Sequence, residues 1–205
     1  MTEMPKADTK VEVATAFTRG DLSDLCQAAD DAIKAGGGFG WLTPPLRNTM
    51  ETYWKGVLMV PERTLIVGRL DNVIVGSAQL VRPTKNNEAQ AHSGQLTTSF
   101  MAPWARGHGL ARMITEAVEN HARKIGLTVL NLDVRETQEA AITLYRSLGY
   151  TEIGRHEHYA RVDAKFWVDP SGKIYRYWFS EQVWKKTPEK TAPPAATSSG
   201  ESVQR

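Results

Sequence analysis

The stretch that most constrains the fold is Thr97–Arg112, TTSFMAPWARGHGLAR. Thr97 to Met101 are β-favouring or β-tolerant, and Pro103, which lacks a backbone N–H, ends any ladder they join. Gly107 and Gly109 let the chain turn tightly with no Cβ in the way. From Leu110 onward, Leu110, Met113, Ile114, Ala117, Val118, Ala122 and Ile125 recur at a helical period. A strand, a glycine corner and a helix in succession leave unpaired N–H groups at the positive end of a helix dipole. That is an anion site, best suited to phosphate. A P-loop would carry Lys-(Ser/Thr) where Leu110-Ala111 stands, and a dinucleotide turn would carry Gly or Ala where Arg112 stands.

The rest of the chain supplies elements around this stretch. Val11–Phe17 reads as a first strand. Asp21 is placed to cap a helix running to about Ala35, stopped by Gly36-Gly37-Gly38. Four glycines between Gly36 and Trp41 invite a phosphate-loop reading, but no helix follows directly, so a connector is expected. Thr43-Pro44-Pro45 starts a second helix with an apolar face of Leu46, Met50, Tyr53, Trp54, Val57 and Leu58. Thr64–Arg69 and Val73–Val81 form a hairpin around Asp71-Asn72. Arg82–Ser93 is a polar loop holding Glu88 and His92; either is able to take a proton from an amine, and both suit a solvated surface. Thr128–Val134 follows as a strand with Leu130, Leu132 and Val134 on one face and Asn131, Asp133 and Arg135 on the other. Gln138–Leu148 is an amphipathic helix stopped by Gly149. Tyr150–Arg161 and Lys173–Phe179 complete the strands, around a turn at residues 169–172.

A chain of 205 residues suits one domain with a full core. The reading is an extension over residues 1–10, a domain over 11–184 and a disordered tail over 185–205, where Lys, Pro, Ala, Thr and Ser dominate. A net charge of +2, with Lys and Arg scattered, gives no nucleic-acid footprint. No apolar run reaches membrane-spanning length, and no metal-ligand cluster stands out, so neither membrane nor metal is expected. The single cysteine, Cys26, excludes an internal disulfide framework and fits a reducing, cytoplasmic setting. Its spacing with Leu22, Leu25, Ala29 and Ile33 makes it a core residue rather than a nucleophile.

Arg106-Gly107-His108-Gly109-Leu110-Ala111 resembles the (Arg/Gln)-x-x-Gly-x-(Gly/Ala) signature of the GNAT superfamily of N-acetyltransferases. A second run, Ala141-Ile142-Thr143-Leu144-Tyr145-Arg146-Ser147-Leu148-Gly149-Tyr150, resembles that family's Ala-Ile-x-Leu-Tyr-x-x-x-Gly-(Phe/Tyr). The resemblance covers about Val11–Glu181. It implies an α/β GNAT acetyltransferase fold: a mixed, mostly antiparallel twisted sheet of about seven strands, flanked by about four helices. It further implies acetyl-CoA as acyl donor and an amine as acceptor, and is compatible with a homodimer. Pro103–Ala111, preceded by Asn86-Asn87, also looks like the tabtoxin-resistance branch, which favours a small-molecule amine over a protein N terminus or lysine. A GNAT domain that senses acyl-CoA without turnover and an unrelated nucleotide-binding module are the alternatives.

Acyl transfer to an amine needs a neutral nucleophile, and a lysine-type amine titrates near roughly 10.4. Asp133 is the candidate base. Leu130-Asn131-Leu132-Asp133-Val134 resembles a Leu-x-Leu-(Glu/Asp)-Val run of some GNAT enzymes. An ordinary ion pair with Arg135 or Arg106 is the level alternative. By resemblance, the backbone at Phe100 and Met101 supplies the oxyanion donor and pairs with the pantetheine arm. Arg106, Gly107, His108, Gly109, Leu110, Ala111 and Arg112 surround the pyrophosphate. Gln138 stands where an asparagine often bonds the pantetheine. Tyr145 is the candidate donor to the departing thiolate, by a hydrogen bond or local tuning, because an unperturbed phenol is the weaker acid. The family's first two helices wall the acceptor pocket, which brings in Trp41, Tyr53 and Trp54, with Trp54 favoured as core.

Overall fold

The computed structural model describes residues 7–18, 20–37, 40–157 and 173–179. The expected N-terminal extension before residue 7, the turn at 169–172 and the tail from 185 lie outside the described residues. In chain order the elements are β1 (Thr9–Ala14), α1 (Asp21–Lys34), α2 (Arg47–Met59), β2 (Arg63–Leu70), β3 (Val73–Val81) and β4 (Ser93–Met101). There follow α3 (Leu110–Lys124), β5 (Val129–Arg135), α4 (Glu139–Ser147), β6 (Thr151–Glu157) and β7 (Lys173–Phe179). The strands form one seven-stranded sheet in the order β1-β2-β3-β4-β5-β7-β6. Neighbours run antiparallel except β4 and β5, which are parallel. Element order and sheet match the expected architecture.

Each face of the sheet carries its own core. On one face α3 and α4 cover Ile66, Ala78, Leu80, Leu130, Leu132 and Val134, with Ile114 and Val118 as the inward residues of α3. On the other, α1 and α2 bury Leu25, Cys26, Ala29, Trp54 and Val57 against Leu65, Val67 and Val75. Alternation along β2 does this: Leu65 and Val67 serve one helix pair and Ile66 the other. Cys26 is fully buried, and burial pushes its thiol up to about 11, which leaves it inert as expected.

Some boundaries move for identifiable reasons. Asp21 is the first helical residue rather than the residue before the helix; Gly20 holds that place. The Asp21 carboxylate accepts from Thr18 N–H at 2.9 Å and from Arg69 Nη1 at 2.8 Å. Arg69 Nε also donates to Glu12 at 2.7 Å, so one guanidinium clamps β1, β2 and the start of α1. The second helix begins at Arg47, not at the prolines, because Leu46, with φ −54° and ψ 144°, is its N-cap and still lies outside the helical conformation. Leu46 therefore stays outside the helix, 77% exposed, and is no part of its apolar face. Ile125 is the C-terminal cap of α3 and exposed rather than inward. The polar loop after β3 contains a short 3-10 turn at Glu88–Gln90, with Glu88 and His92 on the surface. Asn86 and Asn87 bond within it, to Thr84 and Gln90.

Candidate active site

The site begins where β4 and β5 part. They pair only over Ser93–Gln95 and Val129–Asn131, after which the β4 edge facing β5 has no ladder partner in the described sheet. The divergence coincides with a bulge. Between Ser77↔Phe100 and Gln79↔Thr97, β4 carries one residue more than β3. Thr98 absorbs it with φ +51°, left-handed for a β-branched residue. Such backbone costs on the order of 1–3 kcal/mol and persists where the surroundings force it, most often at functional sites. The extra residue also switches faces. Leu96 lies in the α3–α4 core, while Phe100, four residues on, lies in the α1–α2 core. Unpaired main chain at the end of β4 can accept an extended ligand as an added strand.

Beyond Met101 the chain makes a 3-10 turn at Pro103–Ala105 and enters the glycine loop. Gly107 and Gly109 have φ of +89° and +77°, conformations a side chain would oppose. No side chain caps α3, and its first hydrogen bond runs from Met113 N–H to Gly109 C=O at 3.2 Å. Arg106, Gly107, His108, Gly109, Ala111 and Arg112 are exposed, so the amides ahead of Met113 open towards solvent at the positive end of a fifteen-residue helix. Backbone donors form this corner, and their arrangement suits an anion. Arg112 is engaged with α4, donating to Ser147 Oγ at 2.6 Å, and lies 3.8 Å from Glu116. Arg106 makes no ion pair among the described residues.

Tyr145 reaches the same gap from α4. It is 5% exposed, and its hydroxyl is hydrogen-bonded by the Ser99 side chain, one residue past the bulge. Burial raises its pKa above the ordinary phenol value, and the Ser99 bond offsets part of that. Gln138, partly buried, starts α4, its carbonyl receiving the N–H groups of Ala141 and Ile142 at 3.0 Å.

The face of the sheet turned away from α3 and α4 is polar around β4 and β5. A cavity of about 450 Å³ there is lined by Val81, Arg82, Gln95, Asn131, Asp133 and Ile153. Asn131 Nδ2 donates to Ser93 Oγ at 2.9 Å on its wall. Asp133 is partly buried in this cavity, and Arg176 is its register partner on β7. Arg135, one of its expected ion-pair partners, donates to Gly36 C=O at 2.6 Å. Trp54 is fully buried, as favoured, whereas Tyr53 and Trp41 are partly exposed beside it.

The structure sets the glycine loop directly after the end of β4, Tyr145 against Ser99 and Gln138 at the start of α4, with Asp133 on the face of β5 turned away from the α3–α4 core. The sequence reading missed Thr98, Ser99 and Gln79. Threonine and serine in a β-rich run signal an ordinary strand, and nothing in VIVGSAQLV says that both of its polar residues, Ser77 and Gln79, will be buried.

The fold is shared with known proteins. The sequence model of the acetyltransferase (GNAT) family matches residues 27–150. An uncharacterized N-acetyltransferase from the hisH-hisA intergenic region of Azospirillum brasilense is 58% identical over 165 residues, covering 80% of this chain and 95% of that one. A crystal structure of an N-acetyltransferase from Staphylococcus aureus Mu50 superposes with a TM-score of 0.70 at 16% identity, over 84% of this chain and 98% of that one. The structure of yncA from Salmonella typhimurium, solved with its cofactor acetyl-CoA, gives a TM-score of 0.66 at 16% identity, over 91% and 98%. The chain belongs to the GNAT family of acetyltransferases and is an N-acetyltransferase.

Proposed function

We propose that this N-acetyltransferase moves an acetyl group from acetyl-CoA to a small-molecule amine by direct attack in a ternary complex. The observation that carries the reading is the alignment of a solvent-open helix terminus with the unpaired end of β4 and the Tyr145 hydroxyl. The amides from Gly107 to Arg112, with the side chains of Arg106, His108 and Arg112, hold the diphosphate. The edge of β4 at Phe100 and Met101 pairs with the pantetheine arm, and a freed N–H there stabilises the carbonyl oxygen as it gains charge. Gln138 offers its carboxamide to the same arm.

In the transfer the amine nitrogen bonds to the acetyl carbon, the carbon–sulfur bond breaks, one proton leaves nitrogen, and CoA departs as a thiolate that takes its proton from solvent water. Asp133 takes the proton from nitrogen, directly or through a water. Tyr145 faces the departing sulfur. Burial makes its phenol a still weaker acid than a thiol of pKa about 8.5, so it steadies the thiolate by donating a hydrogen bond and does not surrender its proton outright. The unit is proposed to span residues 11–184 and to act in the cytoplasm.

Thiol release from acetyl-CoA across a panel of amines is the test. Amine-dependent thiol with stoichiometric N-acetyl product supports the proposal. Tight CoA binding with no turnover on any amine would replace it with a sensor.

A further inference from the structure

On β3, two residues from the cavity-lining Val81 and on the same face, lies a polar chain with only one direction. Gln79 is 0% exposed, yet both ends of its carboxamide are bonded. Arg63 Nη1 donates to its Oε1 at 2.7 Å, and its Nε2 donates to Tyr53 Oη at 3.0 Å. Chemistry fixes the amide orientation. A guanidinium has only donors, so the atom facing Arg63 must be the oxygen. The nitrogen then faces Tyr53, and an amide nitrogen only donates. Tyr53 Oη is therefore an acceptor in this bond, and its own proton must point elsewhere.

Among the described residues nothing accepts that proton. The other contacts of Tyr53 are edge-on rings, Trp41 at 5.0 Å and Trp54 at 4.9 Å, which hold the phenol in place. The residue is partly exposed, and Gln79 beneath it pairs with Thr97, the neighbour of the Thr98 bulge. The free O–H thus stands on the polar face of the sheet over Gln79, which lies two residues along β3 from Ser77, the register partner of Phe100. Arg63, Gln79 and Tyr53 are aligned dipoles behind a positive charge, an arrangement that strengthens the terminal donor and favours an anionic partner.

We infer that Tyr53 is a specificity-determining residue whose hydroxyl takes a carboxylate on the acceptor, so that the preferred substrates are amines carrying a carboxylate near the nitrogen. Gln79 and Arg63 are positioning residues that act through it. The inference rests on the acetyl-transfer reading of the same site.

The test compares amino acids, their amides and their decarboxylated amines as acceptors for the full chain, by kcat/KM from thiol release. The wild type is expected to prefer the acid over the decarboxylated partner. In Tyr53→Phe that ratio should fall about ten- to a hundredfold, chiefly through KM. Gln79→Glu keeps Tyr53 but replaces the amide donor with a carboxylate that claims the phenolic proton. It should lose the same preference, which a merely structural role for Gln79 would not bring about. CoA binding heat and melting temperature identify any variant that fails to fold, and the other then decides.

A wild type indifferent to the carboxylate, one that prefers the amide, or a preference surviving both substitutions would overturn the inference while leaving acetyl transfer intact. Silence from every amine would overturn both.

Discussion

Tyr145 and Tyr150 are joined twice: the Tyr150 N–H donates to the Tyr145 carbonyl at 3.0 Å, and their rings lie 5.4 Å apart at 58°. Gly149 N–H bonds the Arg146 carbonyl at 3.0 Å, which completes a Schellman ending for α4. The Leu-Tyr and Gly-Tyr pairs of the second signature are thus two halves of one device. The helix stop and the ring contact fix the phenol that points at the gap beside Ser99.

Replacing Gly149, whose φ is +90°, tests that link. Gly149→Ala should cost about 1 kcal/mol, lowering the melting temperature by roughly 2–4 °C. It should also reduce kcat, because Tyr145 loses its fixed position. A melt and a turnover assay on the same sample measure both effects. A destabilised but fully active variant would show that the cap serves stability alone.

Tyr145→Phe removes one oxygen and leaves the ring against Tyr150. Turnover should fall about a hundredfold, the usual loss when one hydrogen-bond donor to developing charge is removed, with CoA affinity nearly unchanged. Steady-state kinetics beside calorimetry separates the two. Equal turnover would take Tyr145 out of the mechanism.

Gly109→Ala places a Cβ in open space, so it acts only through the left-handed backbone. A cost near 1 kcal/mol should weaken CoA about fivefold to tenfold. Binding of pantetheine, which has no diphosphate, should be spared. Equal losses for both ligands would place the diphosphate elsewhere.

The clamp at Asp21 sets an acid limit. The Arg69 guanidinium beside it holds the Asp21 carboxyl at about 2, below the ordinary 3.8. A lowered folded-state pKa means the stabilisation is complete above the ordinary value and is lost as pH falls from about 3.8 through about 2. It amounts to on the order of 2 kcal/mol. Denaturant melts of the wild type and Asp21→Asn should therefore differ at pH 7 and converge near pH 2. A constant difference across that range would contradict the assignment.

Much of this was legible in the chain itself, because the deciding signals are local. Gly107 and Gly109 sit between a strand pattern and a helix pattern, and the alternation of Leu130, Leu132 and Val134 assigns the faces of β5. Prolines at 44 and 45 misled the start of α2, since they organise an extended approach to the helix rather than its first turn. What stayed hidden depends on pairing through space. Thr98 looks like any strand threonine until β3 lies alongside it with one residue fewer. Gln79 finds Arg63 across one ladder and Tyr53 on a helix, and no spacing in sequence encodes either meeting.

The most direct measurement is a calorimetric titration of the protein with CoA, run beside ATP and NAD. The account predicts saturable one-to-one heat with CoA, stronger than with either nucleotide, because all three carry linked phosphates but only CoA adds a pantetheine arm for the open edge of β4. No heat with CoA, or equal heat with all three ligands, would contradict it.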